Sequence, residues 1–313
     1  SKGISSNMID PKHRAQVELL LQTIPYVAKE EIFALKGGTA INLFILSLPR
    51  LSVDIDLTYI PINDRETALS EISEGLGRIK ADLEKSIPGI SVTAVSREGE
   101  DAKINCQLQK AQIKIEVNTT TRGTISDPDL LKVDKKVQES FGRFAAIKVV
   151  SMAEMFGGKI CAALDRQHPR DLFDVKLLLE NEGLTEEIKY GFLVALISHM
   201  RPINELLNPT FIDQKNAFET QFSGMSNIPF SYEEFEKTRE ELISQIISKL
   251  TLEDKRFLVS FKEADPIWEF FNVENASELP AVRWKLQNIE RLKRENPQKH
   301  SDLVDTLEKI LLD

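Results

Sequence analysis

The chain has 313 residues, 42% hydrophobic and 28% charged, enough for two domains with a sizeable core. Its formal net charge of −9 excludes a uniformly basic surface, so any nucleic-acid contact must come from a local patch. Two cysteines, Cys106 and Cys161, are too few for a disulfide framework, and His13, His168, His199 and His300 have no metal-ligating spacing. The first six residues hold no apolar signal core, and no run approaches the ~18 apolar residues of a membrane span. A soluble, cytoplasmic protein without membrane contact is the expectation.

Asp10-Pro11 reads as an N-cap and a first-turn proline, opening a helix with Val17, Leu20, Leu21 and Ile24 on one side. Pro25 is expected to end it. Ile32 to Leu35 reads as a buried strand stopping at Gly37-Gly38, followed by a short apolar helix from Thr39 to Leu48 that Pro49 closes. From Arg50 to Leu57 polar and apolar residues alternate. A strand there places Ser52, Asp54 and Asp56 on one face and Val53, Ile55 and Leu57 on the other.

Residues 63–87 are an amphipathic helix with Leu69, Ile72, Leu76, Ile79 and Leu83 in its apolar stripe. Three strand candidates follow at 90–94, 103–108 and 113–117, the last two joined by a turn over 109–112. In the third, Lys114 and Glu116 share a face. A polar connector (122–129) precedes one more apolar segment at 144–150. Beyond Ser151 the pattern turns helical, with segments at 152–164, from Pro169, and near 186–200, 210–222, 231–250, 252–264, 279–295 and 298–312. Breaks are expected at 227–229, at Asp265-Pro266 and at Pro297. The fold class is therefore α+β: a mixed sheet with flanking helices over 1–150, then an all-helical domain over 151–313.

The chemistry concentrates between residues 35 and 57. If Asp54, Asp56 and Glu116 converge from adjacent strands, each like-charge pair at ~4 Å costs about 4 kcal/mol at an effective dielectric near 20. A divalent cation relieves that repulsion, and oxygen-only ligands favour Mg²⁺ or Mn²⁺. Gly37 and Gly38 allow close backbone approach to a phosphate, and a helix beginning at Thr39 offers free N–H groups. The plain alternatives are solvent-facing strand acids and an ordinary tight turn.

In combination, Lys36-Gly37-Gly38-Thr39-Ala40 and Arg50-x-Ser52-x-Asp54-x-Asp56-Leu57 resemble the AbiEii-type nucleotidyltransferase toxins, a branch of the DNA polymerase β-like nucleotidyltransferase superfamily that includes the MenT toxins. Glu154-x-x-x-x-Lys159, Arg166 and Arg170-Asp171-x-x-Asp174 are similar to the later motifs of that family. The likeness spans residues 33 to 180. It implies a Mg²⁺- or Mn²⁺-dependent transfer of nucleotides from a nucleoside triphosphate to an acceptor hydroxyl. The 3′ end of tRNA is the implied acceptor, and a separately encoded antitoxin is the implied partner.

The resemblance also implies roles for single residues. Asp54, Asp56, Lys159 and Asp174 would be catalytic, and Asp54, Asp56 and Glu116 would hold the metal. Lys36, Gly37, Gly38, Thr39, Ser52 and Lys159 would bind the nucleotide, with Lys159 on the triphosphate. Arg170 and Asp171 would brace the helix of Asp174, all three on one face. The site is then expected in a cleft between the two domains, with Gly37 to Asp56 as its floor. Ser52 is a possible phosphorylation site.

Two basic clusters bear on the acceptor: Lys110, Lys114, Arg122, Lys132, Lys135, Lys136, Arg143 and Lys148, and then Arg283, Lys285, Arg291, Lys293, Arg294 and Lys299. The first suits phosphate contact, or equally is scattered solvated charge balanced by nearby acids; the second reads more simply as a solvated helix face. Trp268, Phe270, Phe271 and Trp284 can stack a base, but helix packing is their commoner use. Transfer to a protein or small-molecule hydroxyl, and nucleotide binding without turnover, remain the alternatives.

Overall fold

The computed structural model describes residues 10–97 and 100–313. The chain divides into two compact units. The first comprises residues up to Ser151 together with Gly224–Pro229; the second comprises Met152–Ser223 and Phe230–Asp313.

The first unit is built on one seven-stranded sheet. In chain order its elements are α1 (Pro11–Val27), β1 (Phe33–Lys36), α2 (Gly37–Thr39) continuing as a π-helical turn (Ala40–Ile45), β2 (Asp54–Tyr59), α3 (Arg65–Ser86), β3 (Ser91–Arg97), β4 (Glu100–Leu108), β5 (Ala111–Asn118), β6 (Asp129–Lys132), α4 (Lys135–Phe141) and β7 (Ala146–Val149). The strand order is β3-β4-β5-β2-β1-β7-β6. The β2/β5 and β1/β7 pairs are parallel, and the other neighbours are antiparallel. The strand with the paired acids therefore lies near the middle of the sheet, between β1 and β5.

Several expectations change in detail. Pro25 does not end α1, which runs on to Val27. So near a helix end, proline removes one backbone bond without breaking the remaining turn. The helix after β1 starts at the glycines themselves, two residues early, and winds as a π-helix that ends at Ile45. β2 begins at Asp54 rather than Arg50, because Pro49 to Leu51 find another partner. The Leu51 N–H donates to the Met225 carbonyl (2.8 Å), that of Asn227 to the Pro49 carbonyl (2.8 Å), and Arg50 bridges to Ser226. In α3 the apolar face is completed by Ala68 and Gly75, whereas Leu69 is only half-buried.

The second unit is helical: α5 (Met152–Arg166), α6 (Pro169–Asn181), α7 (Glu186–Ser198), α8 (Ile203–Leu207), α9 (Lys215–Gln221), α10 (Tyr232–Lys249), α11 (Leu252–Lys262), α12 (Pro280–Glu295) and α13 (Pro297–Leu312). The break expected at Pro297 falls at Asn296, which ends α12 and caps α13, with Pro297 in the first turn of the new helix. Gly157 sits inside α5 because α7 passes against it. A Cβ on Gly157 would lie 2.3 Å from the Gly191 carbonyl carbon, and one on Gly191 would lie 2.0 Å from the Ala153 oxygen. The poor helix propensity of glycine is accepted here in exchange for close backbone packing. Capping boxes at Ser231/Glu234 and Thr251/Asp254 start α10 and α11.

Candidate active site

The register of β2 against its neighbours sets the charge pattern of one sheet face. Asp54 is opposite Lys114 and Asp56 opposite Glu116 across the parallel β2/β5 pair. On the other side Asp56 is opposite Lys36 of β1. Alternation within β2 buries Ile55 and Leu57 and leaves Asp54 and Asp56 half-exposed, as the sequence pattern requires. Lys114 Nζ lies 3.8 Å from Asp54 Oδ2 and 3.7 Å from Glu116 Oε2, with the three side chains 38%, 35% and 32% exposed. Burial pulls the Lys36 ammonium below its ordinary value, and the negative charges of Asp56 and Glu116 oppose that shift.

Gly37 adopts φ +76°, and a Cβ there would lie 3.1 Å from Asp56 Oδ2. Both facts favour glycine. A Cβ on Gly38 would fall 2.5 Å from an Arg50 guanidinium nitrogen and 3.2 Å from Ser52 Oγ. Arg50 is buried, and its Nη1 donates to the Leu51 carbonyl at 2.9 Å. Ser52 is not on the strand face; it precedes β2 and hydrogen-bonds Thr39 across hydroxyl oxygens 2.9 Å apart. Thr39 also donates to the Asp54 carbonyl, tying the start of the helix to the start of the acid strand.

Among the described residues no group of three or more His, Cys, Asp or Glu side chains forms a metal cluster. The expected three-acid convergence is not assembled here, since Lys114 stands beside both Asp54 and Glu116. The residue types still fit a hard cation. Asp54 and Asp56 offer carboxylate oxygens on one accessible face, and Gly37 leaves the space beside Asp56 that a Cβ would fill.

In the second unit, Lys159 is 7% exposed and lies between two buried carboxylates, 3.0 Å from Asp171 Oδ1 and 3.2 Å from Asp174 Oδ2. Arg166 adds two hydrogen bonds to Asp171, at 2.7 and 3.1 Å. Burial alone would raise the Asp171 carboxyl, but Lys159 and Arg166 outweigh it and hold it well below the usual carboxylate range. Arg170 is exposed, whereas Asp171 and Asp174 are buried. Arg166, at the end of α5, is the arginine that contacts Asp171.

The basic clusters lose members to the interior. Arg122 is buried, with Nη1 3.3 Å from the Asn63 and Asp64 carbonyls. Lys285 is buried against the end of α7, donating to the carbonyls of Leu196, His199 and Arg201 at 3.2, 2.7 and 2.8 Å. Lys110, Lys132, Lys135, Lys136 and Arg143 stay exposed. Phe271 stacks on Phe257 at 4.4 Å between ring centroids, and both are core; Trp268 packs beside them but is part-exposed, as is Phe270, and Trp284 is half exposed. Cys106 and Cys161 are free buried thiols, both pushed up to about 12 by burial.

The first unit is thus a mixed sheet with a glycine turn before a paired-acid strand, and the second is helical, the fold class of the nucleotidyltransferase that the chain resembles in structure. Residues 18–288 match the family model described as nucleotidyl transferase AbiEii toxin, type IV toxin–antitoxin system, and the chain belongs to that family. No curated protein matches the chain. Among solved structures, MenT4, a nucleotidyltransferase toxin from Mycobacterium tuberculosis H37Rv, aligns with TM-score 0.59 and 14% identity over 88% of this chain and 93% of that one. At that identity the likeness is one of fold. An H. pylori protein described as a candidate nucleotidyltransferase aligns less closely, with TM-score 0.46 and 17% identity over 76% of this chain and 94% of its own. Family membership makes the chain a nucleotidyltransferase acting on a nucleoside triphosphate, with a separate antitoxin and general use of a divalent metal.

Proposed function

We propose that this chain transfers nucleotides from a nucleoside triphosphate to the 3′ end of tRNA, with Mg²⁺ or Mn²⁺ held by Asp54 and Asp56. The observation carrying this reading is the juxtaposition on one sheet face of two accessible carboxylates with a glycine turn. A Cβ at Gly37 would lie 3.1 Å from Asp56 Oδ2, so the turn and the carboxylate adjoin. When bound, the metal supplies charge neutralisation for the phosphates and activation of the acceptor hydroxyl. Lys36, Gly37, Gly38 and Thr39 form the phosphate side of this face, and Ser52 fixes Thr39 through its hydroxyl. Glu116 completes the ligand set once its lysine neighbour is displaced.

For the helical unit we assign Lys159 to the triphosphate. Asp171 and Asp174 hold its ammonium in one position, which favours pre-organised contact over a mobile charge. The acceptor assignment is supported by the exposed bases Lys132, Lys135, Lys136 and Arg143 around α4, which suit phosphate contact. Their number is small and the chain is acidic, which favours a protein or small-molecule hydroxyl as the second reading.

Incubation with each labelled nucleoside triphosphate, Mg²⁺ and total cellular RNA or protein separates the two. Label on tRNA-sized RNA is the expected result. Label on protein alone would refute tRNA as acceptor, and binding without any transfer would leave only a nucleotide-binding protein.

A further inference from the structure

The proposed metal face already contains a cation of its own. Lys114 projects from β5 opposite Asp54, and its ammonium stands within 4 Å of carboxylate oxygens of both Asp54 and Glu116. Neither distance is a tight hydrogen bond, and all three side chains are about one-third exposed, so nothing locks the lysine in place. The contrast with Lys159, bonded at 3.0 Å in a buried site, is one of purpose as well as distance. A flexible four-carbon stem lets an ammonium leave such a face without disturbing the sheet.

We propose that Lys114 is the resident counter-ion of the acid face, displaced when a divalent cation binds, and that it thereby sets the cation affinity of Asp54. The proposal rests on the reading of Asp54 and Asp56 as metal ligands. Its physical basis is competition between two cations for the same carboxylates. With the lysine in place, repulsion between Asp54 and Glu116 is reduced and the gain from binding a metal is smaller. Without it, those carboxylates bind the metal more tightly. Because the groups are partly solvated, the expected change is about tenfold, far short of that for a dry pair. Freed from the carboxylates, the same ammonium is available to the phosphates that arrive with the metal, so one residue restrains metal binding and then receives the nucleotide.

The test is direct Mn²⁺ binding, read from the loss of the free-ion electron paramagnetic resonance signal, without nucleotide and without turnover. The full chain is compared with Lys114→Gln, Lys114→Arg and Asp54→Asn, each checked for folding by circular dichroism. Lys114→Gln should bind Mn²⁺ about tenfold more tightly, and Lys114→Arg, which keeps the charge, should bind as the parent does. Equal or weaker binding by Lys114→Gln, with binding still lost in Asp54→Asn, overturns the counter-ion role and leaves the metal strand standing. Binding that Asp54→Asn does not alter, or no binding by any form, overturns both.

Discussion

Two groups of charges in this molecule use the same residue types in opposite ways. On the sheet face of the first unit, Lys114 meets Asp54 and Glu116 at 3.7–3.8 Å with every partner about one-third exposed. In the second unit, Lys159 meets Asp171 and Asp174 at 3.0–3.2 Å with every partner nearly or fully buried. The first arrangement contributes little to stability, because water screens it and the side chains remain mobile. The second is closed: removing one member strands the others without solvent. Thus the first group is open to exchange its partners for a ligand, whereas in the second the carboxylates are a fixed frame that holds the Lys159 ammonium in one position.

The largest test of this contrast is Asp54→Ala. It should lower nucleotide transfer by ~10⁴-fold, about 5 kcal/mol of barrier, while the thermal midpoint stays within a degree or two, measured by label incorporation and calorimetry. Persistent transfer, or unfolding, would erase the distinction between an exchanging face and a structural one. Next in size, Lys159→Ala should destabilise the fold by about 3–5 kcal/mol in denaturant titration, since Asp171 and Asp174 lose their shared cation. Lys114→Gln, by the same measurement, should change stability by less than about 1 kcal/mol.

A smaller effect is expected from Gly37→Ala. Its φ of +76° and the 3.1 Å approach to Asp56 should destabilise by ~1–2 kcal/mol and weaken nucleotide binding, read by thermal shift with and without nucleotide. Similar in size is a pH effect at Lys285. Burial, helped by the positive charge of Lys262, lowers its ammonium from 10.5 to about 7. Between those values the unfolded chain holds the extra proton, so stability rises with pH from 7 toward 10.5. Lys285→Met should flatten that rise, about 2 kcal/mol between pH 7 and 9, in urea midpoints taken across the range.

Much of this was legible from periodicity. The strict alternation of 54–57 puts Asp54 and Asp56 on one face of their strand, and that of 113–117 puts Lys114 and Glu116 on one face of theirs, while helical spacing marks α3, α10 and α12; that the two strands are neighbours is a property of the fold. The placement of Lys114 was also present, since it shares the Glu116 face, yet read as one base among eight it pointed to nucleic acid. What sequence did not carry was decided across long separations. Arg50 to Val53 alternates like a strand, but Pro49 and Leu51 take their hydrogen bonds from the 225–227 segment. The four-residue β6 and the seven-residue α4 are too short to show a period. The contact of Arg166 with Asp171 joins two helices and lies beyond the reach of same-helix spacing.

That 224–229 segment also bears on the order of synthesis. Pro49 to Leu51 leave the ribosome about 175 residues before Met225, which at 5–20 residues per second is roughly 10–35 s. Until then the loop leading into Asp54 lacks the backbone partners that fix it. Translation itself thus delays the first competent molecule, and a fragment released before residue 225 would carry the acids without the clasp that holds their approach.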